Sequence, residues 1–225
     1  IEIRADDWGI DIVCGATQKA LATPPGLAPI SVSNKAWEII ERRKEKVKSL
    51  YLNLLWYKHP PFDPKIHPTP QTCSTTLVMA LWNSLRMMKE EGFENVFRRH
   101  KIVSKAVRES MKVAGFKLLV KDERYASSTV TAVVWPEKYD YRIFWRTLYD
   151  KFNIMIGNPP EMLPFHGIPL TYFRVGHMGI TASMEYVLPT LGYIEIAARR
   201  AGLNIKPGTC VSKALEILEK YYSRL

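Results

Sequence analysis

The sequence predicts a mixed α/β chain, and three observations carry that expectation. Short β-branched runs bounded by Gly and Pro occur near both ends, from Ile10 to Val32 and again from Phe116 to His177. Between them lie stretches whose apolar residues recur at helical spacing. From residue 116 onward strands and helices alternate, the pattern of a small α/β domain.

The first run, Ile10-Asp11-Ile12-Val13-Cys14, ends at Gly15, and Lys19 follows closely. A Pro24-Pro25-Gly26 turn then leads into a second run, Ala28 to Val32. The order is strand, loop, lysine, turn, strand. A lysine pinned between two strands can lose hydration and point in a fixed direction, which lowers its pKa and suits its amine to attack a carbonyl. By spacing alone, however, a single lysine in such a loop reads first as a solvated surface lysine.

Ser33-Asn34 offers an N-cap to an amphipathic helix carrying Trp37, Ile40 and Val47. Leu50 to Tyr57 is an aromatic-rich apolar segment, expected in the interior or at a subunit contact. Five prolines between Lys58 and Pro70 then make an irregular loop of the kind that often carries function. Thr72 to Gly92 reads as a long helix, with Leu77, Leu81, Leu85 and Met88 on one face and Trp82, Met87 and Met88 as core filler. Another helix runs from Phe93 to Ala114 and stops at Gly115. Strands are expected at Phe116–Val120, Ser128–Trp135, Ile154–Gly157 and Thr171–His177, with a short helix from Tyr141 to Phe152 before the third. Two helices close the chain, Thr181 to Gly202, interrupted at Pro189, and Ser212 to the end.

The composition bounds the function. At 225 residues and 47% hydrophobic the chain can bury a substantial core. Cys14, Cys73 and Cys210 are odd in number and lack CxxC spacing, which argues against a disulfide framework or a zinc site and for a reducing, cytoplasmic setting. No apolar run approaches the ~20 residues of a membrane span. The 32 Lys and Arg against 22 Asp and Glu give a net charge of +10. Much of that excess sits in residues 41–48, where glutamates interrupt the basic residues as on a solvated helix face. No zinc-finger spacing or RNP-type aromatic motif accompanies the run, so a nucleic-acid partner is not expected. A basic chain also suits small anionic ligands.

Asp7-Trp8-Gly9-Ile10-Asp11, then Gly15-Ala16-Thr17-Gln18-Lys19-Ala20-Leu21, then Pro24-Pro25-Gly26-Leu27 resembles the cofactor-lysine segment of class V aminotransferases, the serine–pyruvate and alanine–glyoxylate family. The resemblance implies that Lys19 carries pyridoxal 5′-phosphate (PLP) as a Schiff base and that Gln18 bonds the cofactor phosphate. Thr69-Pro70 matches the position whose threonine reaches the phosphate of the other subunit in a homodimer. Relatives often place a tyrosine three residues earlier, where this sequence has Ile66; His67 takes that place if the loop shifts by one residue. Phe173-Arg174-Val175-Gly176-His177-Met178-Gly179 resembles the family's Arg-Ile-Gly-x-x-Gly signature, whose arginine binds the substrate α-carboxylate in a bidentate fork. Without the resemblance, an arginine inside an apolar strand reads as half of an internal salt bridge. His177 has no assigned role.

The fold implied is the C-terminal part of a fold-type I PLP-dependent transferase. Residues 1–110 would finish the large mixed-sheet domain, and residues 111–225 would form the small α/β C-terminal domain. The family's phosphate-binding turn, ring-stacking aromatic and pyridine-nitrogen aspartate are not found before Lys19, since Asp6, Asp7 and Asp11 lie too close to it. About 150 residues or more of a typical large domain are therefore expected upstream, and the 225-residue chain alone is expected to be weak or inactive. The activity implied is transamination of serine, alanine or aspartate, with pyruvate or glyoxylate as acceptor. Two alternatives stay open: a PLP lyase resembling cysteine desulfurases, although those usually carry a histidine before the lysine where this chain has Gln18, and a non-catalytic fragment.

Overall fold

The structure is a computed structural model that describes residues 2–60, 63, 65–66, 69–160 and 171–222. The chain divides into two compact units, Glu2–Met87 and the residues from Met88 onward.

In the first unit β1 (Ile12–Cys14) pairs antiparallel with β2 (Ile30–Val32), Ile12 opposite Val32 and Cys14 opposite Ile30. Helix α1 (Asn34–Arg42) follows at once. Ser33 caps it as expected, its Oγ accepting from the Ala36 N–H at 3.1 Å. The Ser33 hydroxyl also donates to Asp11 at 2.8 Å, and Lys35 reaches the other Asp11 oxygen at 2.8 Å. These bonds hold the Asp11 carboxyl below the usual range, Lys35 contributing most. Val47 lies beyond the end of α1. A short helix, α2 (Leu55–Lys58), precedes the proline-rich loop, and α3 (Thr75–Glu91) comes after it.

Two expectations are corrected here. Trp82 and Met87 are exposed at 65% and 57%, with Val78, Met79 and Leu85 beside them, so they do not fill a core of this chain. Helical periodicity identifies an apolar face without saying what covers it. Leu50, Tyr51, Leu52 and Tyr57 are likewise exposed, which overturns the interior placement of that segment and leaves the subunit contact as its other expected place.

The second unit holds the core. Strands β3 (Lys117–Leu118), β4 (Val130–Val134) and β5 (Tyr172–Gly176) form an antiparallel sheet in sequence order. Thr131, Val133, Phe173 and Val175 turn one face inward, by the alternation that a pleated strand imposes. Onto that face pack Phe116, Trp135 and Phe144, with Trp135 stacked on Phe144 at 4.4 Å between centroids and Phe116 edge-on to Phe173 at 5.8 Å. Phe144 belongs to α5 (Tyr141–Arg146), which runs on into a π-helical turn over Thr147–Lys151.

Helices α4 (Phe93–Val113), α6 (Met184–Arg200) and α7 (Thr209–Tyr222) complete the core. Glu195 of α6 is buried and accepts from the N–H groups of Gly208 and Cys210, which would otherwise be orphan donors at the start of α7. Burial pushes the Cys210 thiol up to about 12, with the Glu195 charge adding to it.

The segment 154–156, expected as a strand, is irregular, because only Gly157 reaches the sheet edge, in a single bridge to Arg174. Pro189 does not interrupt α6. It sits exposed in the second turn, where the carbonyl of exposed Glu185 that its missing N–H leaves unbonded can be hydrated. Among the described residues no helix is long and apolar enough to cross a membrane, and no group of three metal-ligating side chains forms.

His177 is fully buried just past β5 and shares a 2.8 Å hydrogen bond with Thr131. Burial pushes its imidazole down to about 4 from 6.5. Between those values the unfolded chain binds a proton that the folded chain does not, so stability rises with pH across the window and is lost as pH falls. The shift corresponds to about 3 kcal/mol. Urea unfolding near pH 7.5 and about pH 4.5 should therefore show a smaller acid loss in His177→Gln than in the native chain, by about 2 kcal/mol. Equal losses would show that His177 does not titrate with folding.

Candidate functional site

Lys19 stands on the loop between β1 and β2. Its side chain is exposed, as is that of Gln18, so the described residues do not desolvate the amine. What they fix is the backbone beneath it. Thr17 is fully buried, and both its N–H (3.3 Å) and its hydroxyl (3.2 Å) donate to the Leu27 carbonyl. Its own carbonyl accepts from Thr23 N–H at 3.1 Å. Lys19 N–H bonds Ala16 and its carbonyl accepts from Ala22, whose φ of +52° closes the turn. Gly15 donates to Pro29 at 2.8 Å.

Helix α3 supports this loop from one side. The Ser84 hydroxyl donates to the Leu21 carbonyl, and the Leu77 side chain packs on Gly26. A Cβ on Gly26 would come within 2.5 Å of Leu77 Cδ1, and φ there is +138°, so the Pro-Pro-Gly turn requires glycine. Thr17 and Ser84 escaped the sequence reading; the Gly-x-Thr spacing marked Thr17 only as part of a longer motif.

Thr69 is exposed, and its hydroxyl donates to the Gln71 carbonyl. Ile66 is 72% exposed. His67 lies outside the described residues.

Arg174 belongs to the second unit. It lies mid-strand on β5, as expected, but on the face opposite Phe173 and Val175 and exposed, so it is not half of a buried pair among the described residues. Among the described residues no carboxylate pairs with it. Its C=O and its N–H both pair with Gly157, at 2.9 and 3.3 Å, and Ala132 of β4 stands opposite it in the register. A Cβ on Gly157 would stand 3.0 Å from Arg174 Nε and 3.1 Å from its Cβ, so the guanidinium lies in the space that glycine leaves. Next to it, Asn158 takes φ +65° and its carbonyl accepts from the buried Tyr141 hydroxyl at 2.6 Å. Burial pushes the Tyr141 phenol up, against the pull of the Arg174 charge.

No family model matches the chain. A solved structure of the ureidoglycine–glyoxylate aminotransferase of Bacillus subtilis superposes with a TM-score of 0.84 at 29% identity, covering 97% of this chain and 54% of that one. The fold is thus part of that of the fold-type I PLP-dependent transferases. An uncharacterized aminotransferase of Methanocaldococcus jannaschii is 39% identical over 218 residues, 97% of this chain and 54% of the relative. A serine–glyoxylate aminotransferase of Hyphomicrobium methylovorum is 28% identical over 225 residues, 98% of this chain and 52% of the relative. The chain spans about half the length of the curated relatives it matches. It is homologous to class V aminotransferases, the serine–glyoxylate and alanine–glyoxylate group.

The buried Thr17 hydroxyl is the side-chain anchor of the lysine loop. Thr17→Val keeps its shape and removes the bond to Leu27, at a cost of about 1 kcal/mol. The expected outcome is faster amide exchange at Thr23 and Ala22, with exchange in β4 and β5 unchanged. Unaltered protection at Thr23 would show that the hydroxyl does not hold the loop.

Proposed function

We propose that this chain serves a PLP-dependent transaminase that moves the amino group of a small amino acid to glyoxylate. The observation that carries this reading is Lys19: an exposed amine on a backbone-fixed loop, in a chain several of whose relatives are named as glyoxylate aminotransferases. Serine and alanine are the donors those names suggest. Aspartate as donor and pyruvate as acceptor come from the family resemblance alone.

The residues present fit the cofactor. The Lys19 amine would hold its aldehyde carbon, and the carboxamide of Gln18, one residue away, would donate to its phosphate. The Thr69 hydroxyl would join it after rotating off the Gln71 carbonyl, and we assign it to the site of the second subunit in a homodimer. When bound, pyridoxal phosphate supplies an electron sink for the charge left at the substrate Cα.

The chain's own residues do the remaining work. Arg174 grips the substrate α-carboxylate through two parallel N–H bonds, which fixes the direction of the Cα–H bond. The Lys19 amine, when free, would accept the Cα proton as general base. The net positive charge of the chain favours the anionic acids on both sides of the exchange.

Incubation with pyridoxal phosphate should give a visible absorption band that borohydride bleaches, and mass spectrometry should place the reduced adduct on Lys19. Lys19→Ala should abolish the adduct; an adduct on another lysine, or an unchanged band in the variant, would overturn the assignment. Arg174→Ala should weaken binding of carboxylate substrates by about 2–5 kcal/mol, the scale for losing one partner of a desolvated charge pair. Unchanged affinity for serine would refute the role of Arg174.

A further inference from the structure

Strand β5 leaves the sheet through a turn that closes on itself between Met178 and Thr181 and is anchored from outside by α4. The signature run Arg174-Val175-Gly176-His177-Met178-Gly179 ends in a glycine with φ +59°, a conformation that suits glycine and opens a 3₁₀ turn over Gly179–Thr181. His100 of α4 is buried at 1% exposure. Its Nδ1–H donates to the Val96 carbonyl at 2.7 Å, which leaves Nε2 as the acceptor for the Gly179 N–H at 3.0 Å. The preceding residue, Arg99, donates from one Nη1 to both the Gly179 carbonyl (3.0 Å) and the Ala182 carbonyl (2.8 Å). Glu91 in turn holds Arg99 in a two-pronged ion pair, Nε at 2.7 Å and Nη2 at 2.9 Å.

Two adjacent side chains of one helix thus take both the N–H and the C=O of Gly179. Neither lies in β5 or touches Arg174. A strand's register decides where its side chains stand, and a slip of two residues keeps the face but moves each side chain about 7 Å along the sheet. The clamp lies five residues past Arg174, and His177, bonded to Thr131, lies between them. Slippage of β5 along β4 would have to break it.

We propose that Arg99 and His100 are positioning residues for Arg174: by fixing the Gly179 turn they fix where along the sheet the carboxylate-binding guanidinium stands. The proposal rests on the reading of Arg174 given above. It also assigns a physical task to the second glycine of the signature, which is to offer a backbone N–H and C=O to α4 in a conformation that a side chain would strain.

Four variants of the whole chain test it: His100→Phe, which keeps a ring but has no acceptor; His100→Gln, whose Oε1 can accept as Nε2 does; Arg99→Met; and Arg174→Ala. Amide exchange on the native chain and each variant is followed at Gly179 and at Arg174. His100→Phe and Arg99→Met should speed exchange at both amides about tenfold or more, as expected for removal of a buried hydrogen bond. His100→Gln should restore protection. Unchanged exchange at Arg174 would overturn the proposal. If His100→Phe unfolds the unit, Arg99→Met decides by the same two amides.

In transamination by the protein that carries this chain, the KM for serine should rise roughly 10- to 100-fold in His100→Phe and Arg99→Met, with kcat little changed. The rate with ethanolamine, which lacks the carboxylate, should stay at the native value. A KM for serine that does not move in these variants, while Arg174→Ala raises it, would sink the clamp and leave the carboxylate reading intact. If Arg174→Ala itself leaves that KM unchanged, the carboxylate reading fails, and with it the positioning role.

Discussion

The carboxylate-binding role proposed for Arg174 depends on β5 being paired along both edges. Arg174 gives its own N–H and C=O to Gly157 and stands opposite Ala132 of β4, while its core-facing neighbours Phe173 and Val175 are buried, Phe173 against Trp135 and Phe144. The backbone polar groups of this stretch are satisfied without recourse to water, as a strand partly covered by a core requires. A guanidinium raised on such a base would lose only side-chain freedom on binding a carboxylate, the role proposed for Arg174.

The backbone beneath Lys19 is held by a different device. Its flanking strands are three residues each and carry little of the burden. The loop closes on itself through Thr17, whose hydroxyl and both backbone groups are spent inside the loop, and it leans on α3 through Ser84 and Leu77. Loops that present chemistry on a rigid support usually carry more variable backbone than strands do. Here the rigidity is built into the loop by short-range bonds.

Much of this was legible in the sequence, and for physical reasons. The Gly15-to-Gly26 punctuation announced the hairpin around Lys19, and the Ser33 cap and Gly115 stop marked helix ends because each relieves a definite backbone constraint. Arg174 stood out as a charge in an apolar run, yet the sequence could not say which face of β5 was covered, so it read as half of a buried pair. Trp82 and Met87 misled for a related reason: period reveals a face and stays silent on its cover. Thr17, His100 and Glu195 were invisible because each acts by meeting backbone far away in sequence, and no spacing rule encodes such meetings.

The Glu195 cap separates how α7 is joined from how it is recognised. The carboxylate that satisfies the first N–H groups of α7 comes from α6, across the connection at residues 201–208, and Ser110 of α4 adds a bond to the Cys210 carbonyl. The first turn of the helix is thus matched twice, its backbone donors by one carboxylate of α6 and its Cys210 side chain by the core beside α4. A single acidic residue therefore carries the address to which the last helix of the chain is delivered.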